Sequence, residues 1–201
     1  MATIKMMPLV DTLPIVHLSK DILQIDRLSP RNEQQSQLII DNISLEDVIV
    51  VWLGRNESSL RRSLIEYLPS QNVTLILFSR KEQLYSWLNS NSSLTVACLI
   101  IETNENLEDL ICRCNTYSSI RSILIRCFSN ELNYFRRLFR SYVKINGIFA
   151  DDTRLSIKLL IDLALFSEEI ADYQADNENK QIYVQKNYDR ALNLCALAKR
   201  L

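Results

Sequence analysis

The stretch that decides the fold is VIVVWL at Val48–Leu53, a short and continuous apolar run rich in β-branched residues. A strand that carries only apolar residues is buried on both faces, which is typical of a parallel sheet between two layers of helices. Similar runs recur about every 25 residues, which leaves room for a strand, a loop and a short helix. These runs are VTLILF (73–78), LTVACLII (94–101), SILIRCF (122–128) and VKINGIF (143–149).

The segments between these runs have the apolar spacing of amphipathic helices. In residues 58–68, the side chains of Leu60, Leu64 and Leu68 fall on one face. In residues 131–142, apolar side chains recur at i, i+3, i+4 and i+7, which predicts another helix. The same spacing recurs in residues 81–89 and 107–117.

Right-handed crossovers between successive strands give a doubly wound arrangement. We therefore expect an α/β fold of three layers, with a five-stranded parallel sheet in the order 2-1-3-4-5 and a C-terminal helical extension. The fifth run places Lys144 and Asn146 between apolar residues, as expected of a strand at the edge of the sheet.

The composition of the chain changes near residue 46. Residues 1–45 contain three of the four prolines and a polar run, RNEQQSQ, and we expect a mostly disordered N-terminal tail. Within this tail, residues 17–28 carry apolar residues near helical spacing, which indicates a short helix or a docking peptide. Residues 46–152 are predicted to form the α/β domain, and residues 153–201 a C-terminal helical pair.

The composition excludes several classes of protein and of site. The formal net charge is −1, from 23 basic and 24 acidic residues, which argues against a chain that binds nucleic acid or acidic lipid as a whole. The chain has only two glycines, too few for a Walker loop or a dinucleotide-binding loop. It has one histidine, which argues against a histidine-rich metal site. We therefore expect no cofactor and no metal, and partners that are proteins rather than nucleic acids or membranes.

The five cysteines indicate a reducing compartment. They are odd in number, lie mostly in apolar runs and are not at CxxC spacing, which is typical of buried free thiols. No apolar run reaches the roughly 18 residues of a membrane span, and the N-terminus lacks the apolar region of a signal peptide. We therefore expect a cytoplasmic protein.

Ligands of doubly wound sheets bind outside the carboxyl ends of the strands, so the residues that follow the apolar runs are the candidates for a site. A phosphate-accepting aspartate would need further acids beside it to hold Mg²⁺. Here Arg55 follows Gly54 after the first run, the third run leads into Glu102, and no lysine follows the fifth run. We interpret Gly54 as a turn residue and Glu102 as a solvated residue at a strand end, and we predict no catalytic residue.

Two helical segments carry residues suited to binding a protein partner. In the last helix, Tyr188, Ala191 and Ala198 share a face on which small residues let a neighbouring helix approach closely. The alternative is a terminal helix packed on its own domain. Basic residues lie on the opposite face of the helix predicted for residues 131–142 from its aromatic residues, and they could form a patch that binds a partner. Such basic residues are also typical of a solvated helix face. The members of this predicted patch are Arg136, Arg137, Arg140 and Lys144.

The five repeats resemble the receiver domains of response regulators within the flavodoxin-like folds, without the acidic pocket of that family. The stretches VIVVWL (48–53), SILIRCFS (122–129) and YVKINGIFADD (142–152) are similar to an uncharacterised N-terminal domain of large invertebrate multidomain proteins. Those proteins often carry tetratricopeptide repeats or an arginine-specific ADP-ribosyltransferase domain. The terminal NYDRALNLCALAKRL (187–201) is similar to the second helix of a tetratricopeptide repeat.

These observations lead to a functional expectation with open alternatives. We expect a non-catalytic receiver-like module that mediates protein interaction or regulation, through a protein partner or through self-association of the C-terminal helices. The resemblance also leaves open an N-terminal fragment of a tetratricopeptide-repeat or ADP-ribosyltransferase protein, although the transferase signature has no counterpart in this chain. A degenerate phosphoacceptor or a nucleotide hydrolase, with Glu102 or Glu108 as its acid, is the enzymatic alternative.

Overall fold

The structure is a computed structural model that describes residues 22–24, 47–54, 58–103, 107–175 and 180–201. The secondary structure follows the predicted alternation of strands and helices. The strands are β1 (Ile22–Gln24), β2 (Val48–Leu53), β3 (Val73–Phe78), β4 (Val96–Glu102), β5 (Ile123–Arg126) and β6 (Ile145–Phe149). The helices are α1 (Ser59–Tyr67), α2 (Lys81–Ser90), α3 (Leu107–Thr116), α4 (Leu132–Leu138), α5 (Asp152–Ala175) and α6 (Gln181–Ala198), with a 3-10 turn at Pro69–Gln71.

The sheet is parallel throughout, in the order β1-β3-β2-β4-β5-β6. Strands β2 to β6 are the five apolar runs of the sequence, and their order confirms the prediction 2-1-3-4-5. Helices cover both faces of this sheet, which confirms the three-layer α/β fold. Strand β6 lies at one edge, as its alternating polar residues indicate.

Strand β1 adds a sixth member at the opposite edge. Ile22 pairs with Leu75 and Gln24 with Leu77, so β1 runs parallel to β3. These three residues belong to the segment 17–28, for which the sequence suggests a short helix or a docking peptide. They form a strand docked on the sheet instead of a helix, and the rest of the expected tail lies outside the described residues.

Alternation along β2 sends its side chains into two separate cores. Ile49, Val51 and Leu53 face a core built with α2, α3 and α4. Val48 and Trp52, on the other face, join a core built with α1, α5 and α6. Every side chain of β2 is at most 1% exposed, and burying each large apolar side chain contributes about 1.5–3 kcal/mol to stability.

The C-terminal helices complete the second core. Leu155, Leu159 and Leu163 of α5 are fully buried against the sheet, and Leu194 of α6 is fully buried behind them. Helix α6 returns along α5, as the hydrogen bond between Tyr188 and Asp172 shows. Along the described ranges, no helix combines the length and the apolar composition that a membrane span requires.

Candidate functional site at the carboxyl edge of the sheet

The strand order reverses between β2 and β4, and ligands of this architecture bind at the carboxyl edge near such a point. Three charged residues from different elements lie at this edge. Glu102 is the last residue of β4, Arg126 is the last residue of β5, and Asp152 is the first residue of α5. We call these three residues the edge triad.

The guanidinium of Arg126 holds the triad together. Its Nε donates to Asp152 Oδ1 at 2.7 Å, its Nη2 donates to Asp152 Oδ2 at 3.3 Å, and its Nη1 donates to Glu102 Oε1 at 3.4 Å. The hydrogen bond to Asp152 raises the pKa of the Arg126 guanidinium above its usual value, against the opposing effect of burial. Asp152 also lies at the N-terminus of α5, where the helix dipole favours a negative charge.

Gly54 explains how the Glu102 side chain fits under the end of β2. A Cβ atom at position 54 would lie 2.2 Å from Glu102 Oε2 and 2.8 Å from Glu102 Cδ. The side chain of Glu102 is 5% exposed. Glu102 is therefore a buried, paired carboxylate, and the prediction of a solvated residue was wrong. The backbone of Gly54 therefore lies close to the Glu102 side chain, and its φ is not positive.

A second carboxylate at this edge is also engaged within the chain. Glu131 Oε2 accepts hydrogen bonds from Thr103 Oγ1 at 3.2 Å and from the backbone N–H of Phe128 at 3.0 Å. Within the part of the chain that the structure describes, no cluster of histidine, cysteine, aspartate or glutamate side chains could hold a metal ion. Glu131 therefore links Thr103, directly after β4, to Phe128, in the turn before α4.

The five cysteines are all free thiols. Burial raises the pKa of Cys98 and Cys127 above the usual thiol value, and it raises the pKa of Cys114 to about 12. A thiol is nucleophilic only as the thiolate, so we expect these three side chains to react slowly at neutral pH. Cys112 and Cys195 are exposed.

The structure separates the four predicted basic residues. Arg136 and Arg137 of α4 and Arg140 just after it are exposed. Lys144 is partly buried instead, its Nζ donates to the carbonyl oxygen of Tyr117, and burial lowers its pKa. The three arginines therefore remain on the surface. Lys144, directly before β6, is instead bonded to the residue that directly follows α3.

Two exposed aromatic residues accompany the arginines, and sequence reasoning missed both. Phe128, in the turn before α4, is 62% exposed, and Tyr134 is 57% exposed. Phe135 and Phe139 of the same segment are buried instead. Helical spacing places Tyr134 off the buried stripe, but it gives no information on Phe128, which lies before the helix. We call Phe128, Tyr134, Arg136, Arg137 and Arg140 the α4 surface.

The predicted face of the last helix is used within the chain. Tyr188 donates its hydroxyl hydrogen to Asp172 Oδ1 at 2.6 Å, Ala198 is 9% exposed, and Ala191 packs against the second core. The structure therefore places these residues in the contact between α6 and its own domain. The exposed apolar side chain of α6 nearest to them in sequence is Leu192, at 69% exposure.

A buried arginine that sequence reasoning missed fastens α6 to the sheet. Arg190 is 5% exposed, and its Nε donates to Ser167 Oγ at 3.0 Å and its Nη1 to the carbonyl oxygen of Asn72 at 2.9 Å. Its Nη2 also donates to Asn187 Oδ1. Burial lowers the pKa of Arg190 to about 10, and the charge of Asp47 opposes this effect. The sequence contained one indication of this role, because Arg190 is a charged residue within the apolar stripe of the last helix.

Comparison of the chain with family models, with curated proteins and with solved structures finds no match.

Proposed function

We propose that this chain is a non-catalytic, receiver-like module of the cytosol that works by binding another protein. The observation that carries the proposal is the edge triad, which places an internal ion-pair network where this architecture usually binds its ligand. Arg126 forms ion pairs with both Glu102 and Asp152, and Gly54 packs directly on the Glu102 carboxylate.

The triad is poorly suited to phosphoryl transfer. A phosphoaccepting carboxylate must attack as a free anion, and it needs neighbouring oxygen ligands for Mg²⁺. Glu102 instead faces a guanidinium, and its carboxylate is almost fully buried. This arrangement supports a structural role for the triad, which holds β4, β5 and α5 in fixed positions.

The cysteines support the cytosolic part of the proposal. None of the five forms a disulfide, and two of them are exposed. Exposed free thiols are typical of proteins in a reducing compartment.

The α4 surface supports the interaction part of the proposal. Arginine and tyrosine are enriched at protein interfaces, because both combine apolar area with directional hydrogen bonds. Arg136 and Arg140 have no acidic partner among the described residues, so their charges are free to attract an acidic surface. We therefore propose an acidic protein partner for the α4 surface.

A charge-reversal experiment tests this proposal. The variant Arg136→Glu/Arg137→Glu/Arg140→Glu should lose the acidic proteins that the wild-type chain retains from a cell extract. The matched control reverses three exposed charges elsewhere, at Arg62, Lys199 and Arg200, and should keep them. Identical sets of bound proteins from both variants would contradict a role for the α4 surface.

A further inference from the structure

We infer that Ser141, in the exposed turn after α4, is a phosphorylation site for a serine kinase that recognises arginine, and that its phosphate cancels most of the positive charge of the α4 surface. The effect of the phosphate on binding rests on the proposed function, whereas its attachment to Ser141 does not.

The turn between α4 and β6 presents Ser141 to solvent. Phe139 is 2% exposed, and Tyr142 packs against the core that includes α4, so these two aromatic side chains anchor the turn. The N–H of Tyr142 donates to the carbonyl oxygen of Phe139 at 3.2 Å, which closes the turn. Ser141 lies between the two anchors and is exposed, and Val143 beyond them is 95% exposed. An enzyme can therefore reach Ser141 from the solvent.

The hydroxyl of Ser141 is available as a phosphoryl acceptor. Among the residues that the structure describes, it has no hydrogen-bond partner. Ser141 also lies outside α4, which ends at Leu138. A modifying enzyme can bind a turn at the surface without unfolding a helix, because such turns have few backbone hydrogen bonds to break.

Three exposed arginines precede the serine. Arg136, Arg137 and Arg140 stand five, four and one residues before it in the sequence RRLFRS. Kinases select substrates partly by the pattern of charge around the acceptor, and arginine pairs with carboxylates through two parallel hydrogen bonds. The sequence before Ser141 therefore suits a kinase whose substrate cleft is acidic.

Two other exposed serines also follow arginines, and the structure makes both of them poorer acceptors. Ser63 lies inside α1, its hydroxyl donates to the carbonyl oxygen of Ser59 at 3.1 Å, and the preceding Arg61 is only 7% exposed. Ser129 follows Arg126, whose guanidinium is already bonded within the edge triad. Ser141 combines a free hydroxyl with exposed arginines.

The reaction is a phosphoryl transfer from ATP. The Ser141 Oγ forms a bond to the γ-phosphorus, the bond from that phosphorus to the β,γ-bridging oxygen breaks, and ADP leaves. The hydroxyl proton passes to a carboxylate of the kinase and then to water. The cytosol supplies both the ATP and the kinase.

The phosphate changes the charge of the α4 surface at its centre. It carries a charge of about −1.5 to −2 at neutral pH, so the summed charge of the three arginines and the phosphate falls from about +3 to about +1. Arg140 is the adjacent residue, and a guanidinium binds a phosphate through two hydrogen bonds. An acidic partner then loses both the attraction and the donors that the free arginines offer.

The first test asks whether Ser141 is the acceptor. The full chain is incubated with ATP and, separately, with the catalytic subunit of cAMP-dependent protein kinase and the catalytic fragment of protein kinase C. One phosphate per chain should appear in the intact mass and map to Ser141, disappear in Ser141→Ala and persist in Ser63→Ala. The variant Arg136→Gln/Arg137→Gln should lower the initial rate by about tenfold, because it removes the charges that the kinase recognises.

Three results of this test would overturn the inference. The first is no incorporation with either kinase, and the second is a phosphate that maps to another residue. The third is an initial rate that does not change when the two arginines are replaced.

The second test measures the effect of the phosphate on the α4 surface, with polyglutamate as a model of an acidic protein surface. Phosphorylation should raise the Kd of the chain for polyglutamate by about tenfold, and Ser141→Asp should raise it in the same direction. Ser63→Asp is the matched control, because it places the same charge on α1, against the opposite face of the sheet, and should leave the Kd nearly unchanged.

The outcomes of the second test separate the inference from the proposed function. Equal weakening by Ser141→Asp and Ser63→Asp would overturn the regulatory role of Ser141. No binding of polyglutamate by the unmodified chain would contradict the proposed function and the regulation with it, while a phosphate mapped to Ser141 would still support the modification site.

Discussion

Arg126 binds Asp152 through two hydrogen bonds, from Nε to Oδ1 at 2.7 Å and from Nη2 to Oδ2 at 3.3 Å, so that the end of β5 is fastened to the first turn of α5. The same guanidinium reaches the buried Glu102 at the end of β4. A single side chain therefore links three elements that are far apart in the sequence.

Replacing Arg126 with alanine should destabilise the protein. The change leaves Glu102 buried without its cation and removes the two bonds to Asp152, and a hydrogen bond to a charged group contributes about 1.5–3 kcal/mol. The thermal midpoint should fall by roughly 5–10 °C for a domain of this size. Arg62→Ala, at an exposed position on α1, should leave the midpoint nearly unchanged, and equal effects of the two variants would contradict the linkage.

The chain should not accept a phosphoryl group from a small phosphate donor. The carboxylate of Glu102 is paired with Arg126 and lies against Gly54, so we expect neither Mg²⁺ nor a phosphoryl group to bind it. Incubation with acetyl phosphate and Mg²⁺ should leave the intact mass unchanged. A mass increase of one phosphoryl group that disappears in Glu102→Gln would show that the edge is a working phosphoacceptor site.

Native thiol modification should distinguish two classes of cysteine. Cys112 and Cys195 are exposed and should react with iodoacetamide at pH 8, whereas the three buried cysteines should react only after unfolding. Intact mass spectrometry counts the modified thiols directly. Modification of a third cysteine in the native state would mean that one of the buried sites opens.

The same buried thiols should make stability fall at alkaline pH. Cys114 has a pKa of about 12 in the folded protein, above its ordinary value of 9.0, so the folded state binds more protons than the unfolded state between these two values. The free energy of unfolding should therefore decrease above pH 9, by up to about 1.4 kcal/mol per pH unit for this thiol. Urea unfolding at pH 8 and pH 10 measures the slope, which should be smaller in Cys114→Ala.

Removing the buried arginine of α6 should loosen the C-terminal helix. Arg190→Met deprives Ser167 and the carbonyl of Asn72 of their donor, and each buried polar group left unpaired costs about 1–3 kcal/mol. At roughly 2–4 °C per kcal/mol, the two unpaired groups should lower the thermal midpoint by roughly 4–24 °C, and the amides of α6 should exchange faster. Lys186→Met, at an exposed position of the same helix, is the control and should behave as the wild type.

Much of the sheet was predictable from local patterns. Continuous apolar runs such as Val48–Leu53 mark strands buried on both faces, and the predicted bounds of β2 and β3 match the structure. The alternation of Lys144 and Asn146 with apolar residues places β6 at an edge. Strand β1 was not predictable in this way, because three residues are too few to show a period.

The candidate site was less predictable than the sheet. The sequence locates Glu102 at the end of a strand, but its solvation depends on Arg126, which is 24 residues away. The exposed Phe128 and the inward Lys144 differ from their neighbours only in what packs around them. Sequence spacing gives the direction in which a side chain points, and it does not show which partner lies there.

The sequence by itself determined the α/β class and the helical nature of the C-terminal segment, because both depend on the period of apolar residues along the chain. It also determined the order of the five strands, because right-handed crossovers restrict how successive parallel strands are arranged. Only the tertiary structure decided that Gly54 must make room for Glu102, that Arg190 of α6 bonds to Asn72, 118 residues away, and that Ile22–Gln24 covers the edge of β3. The physical reason is that burial, ion pairing and edge coverage depend on contacts between residues that are far apart in the sequence. The local period of apolar residues does not indicate those contacts.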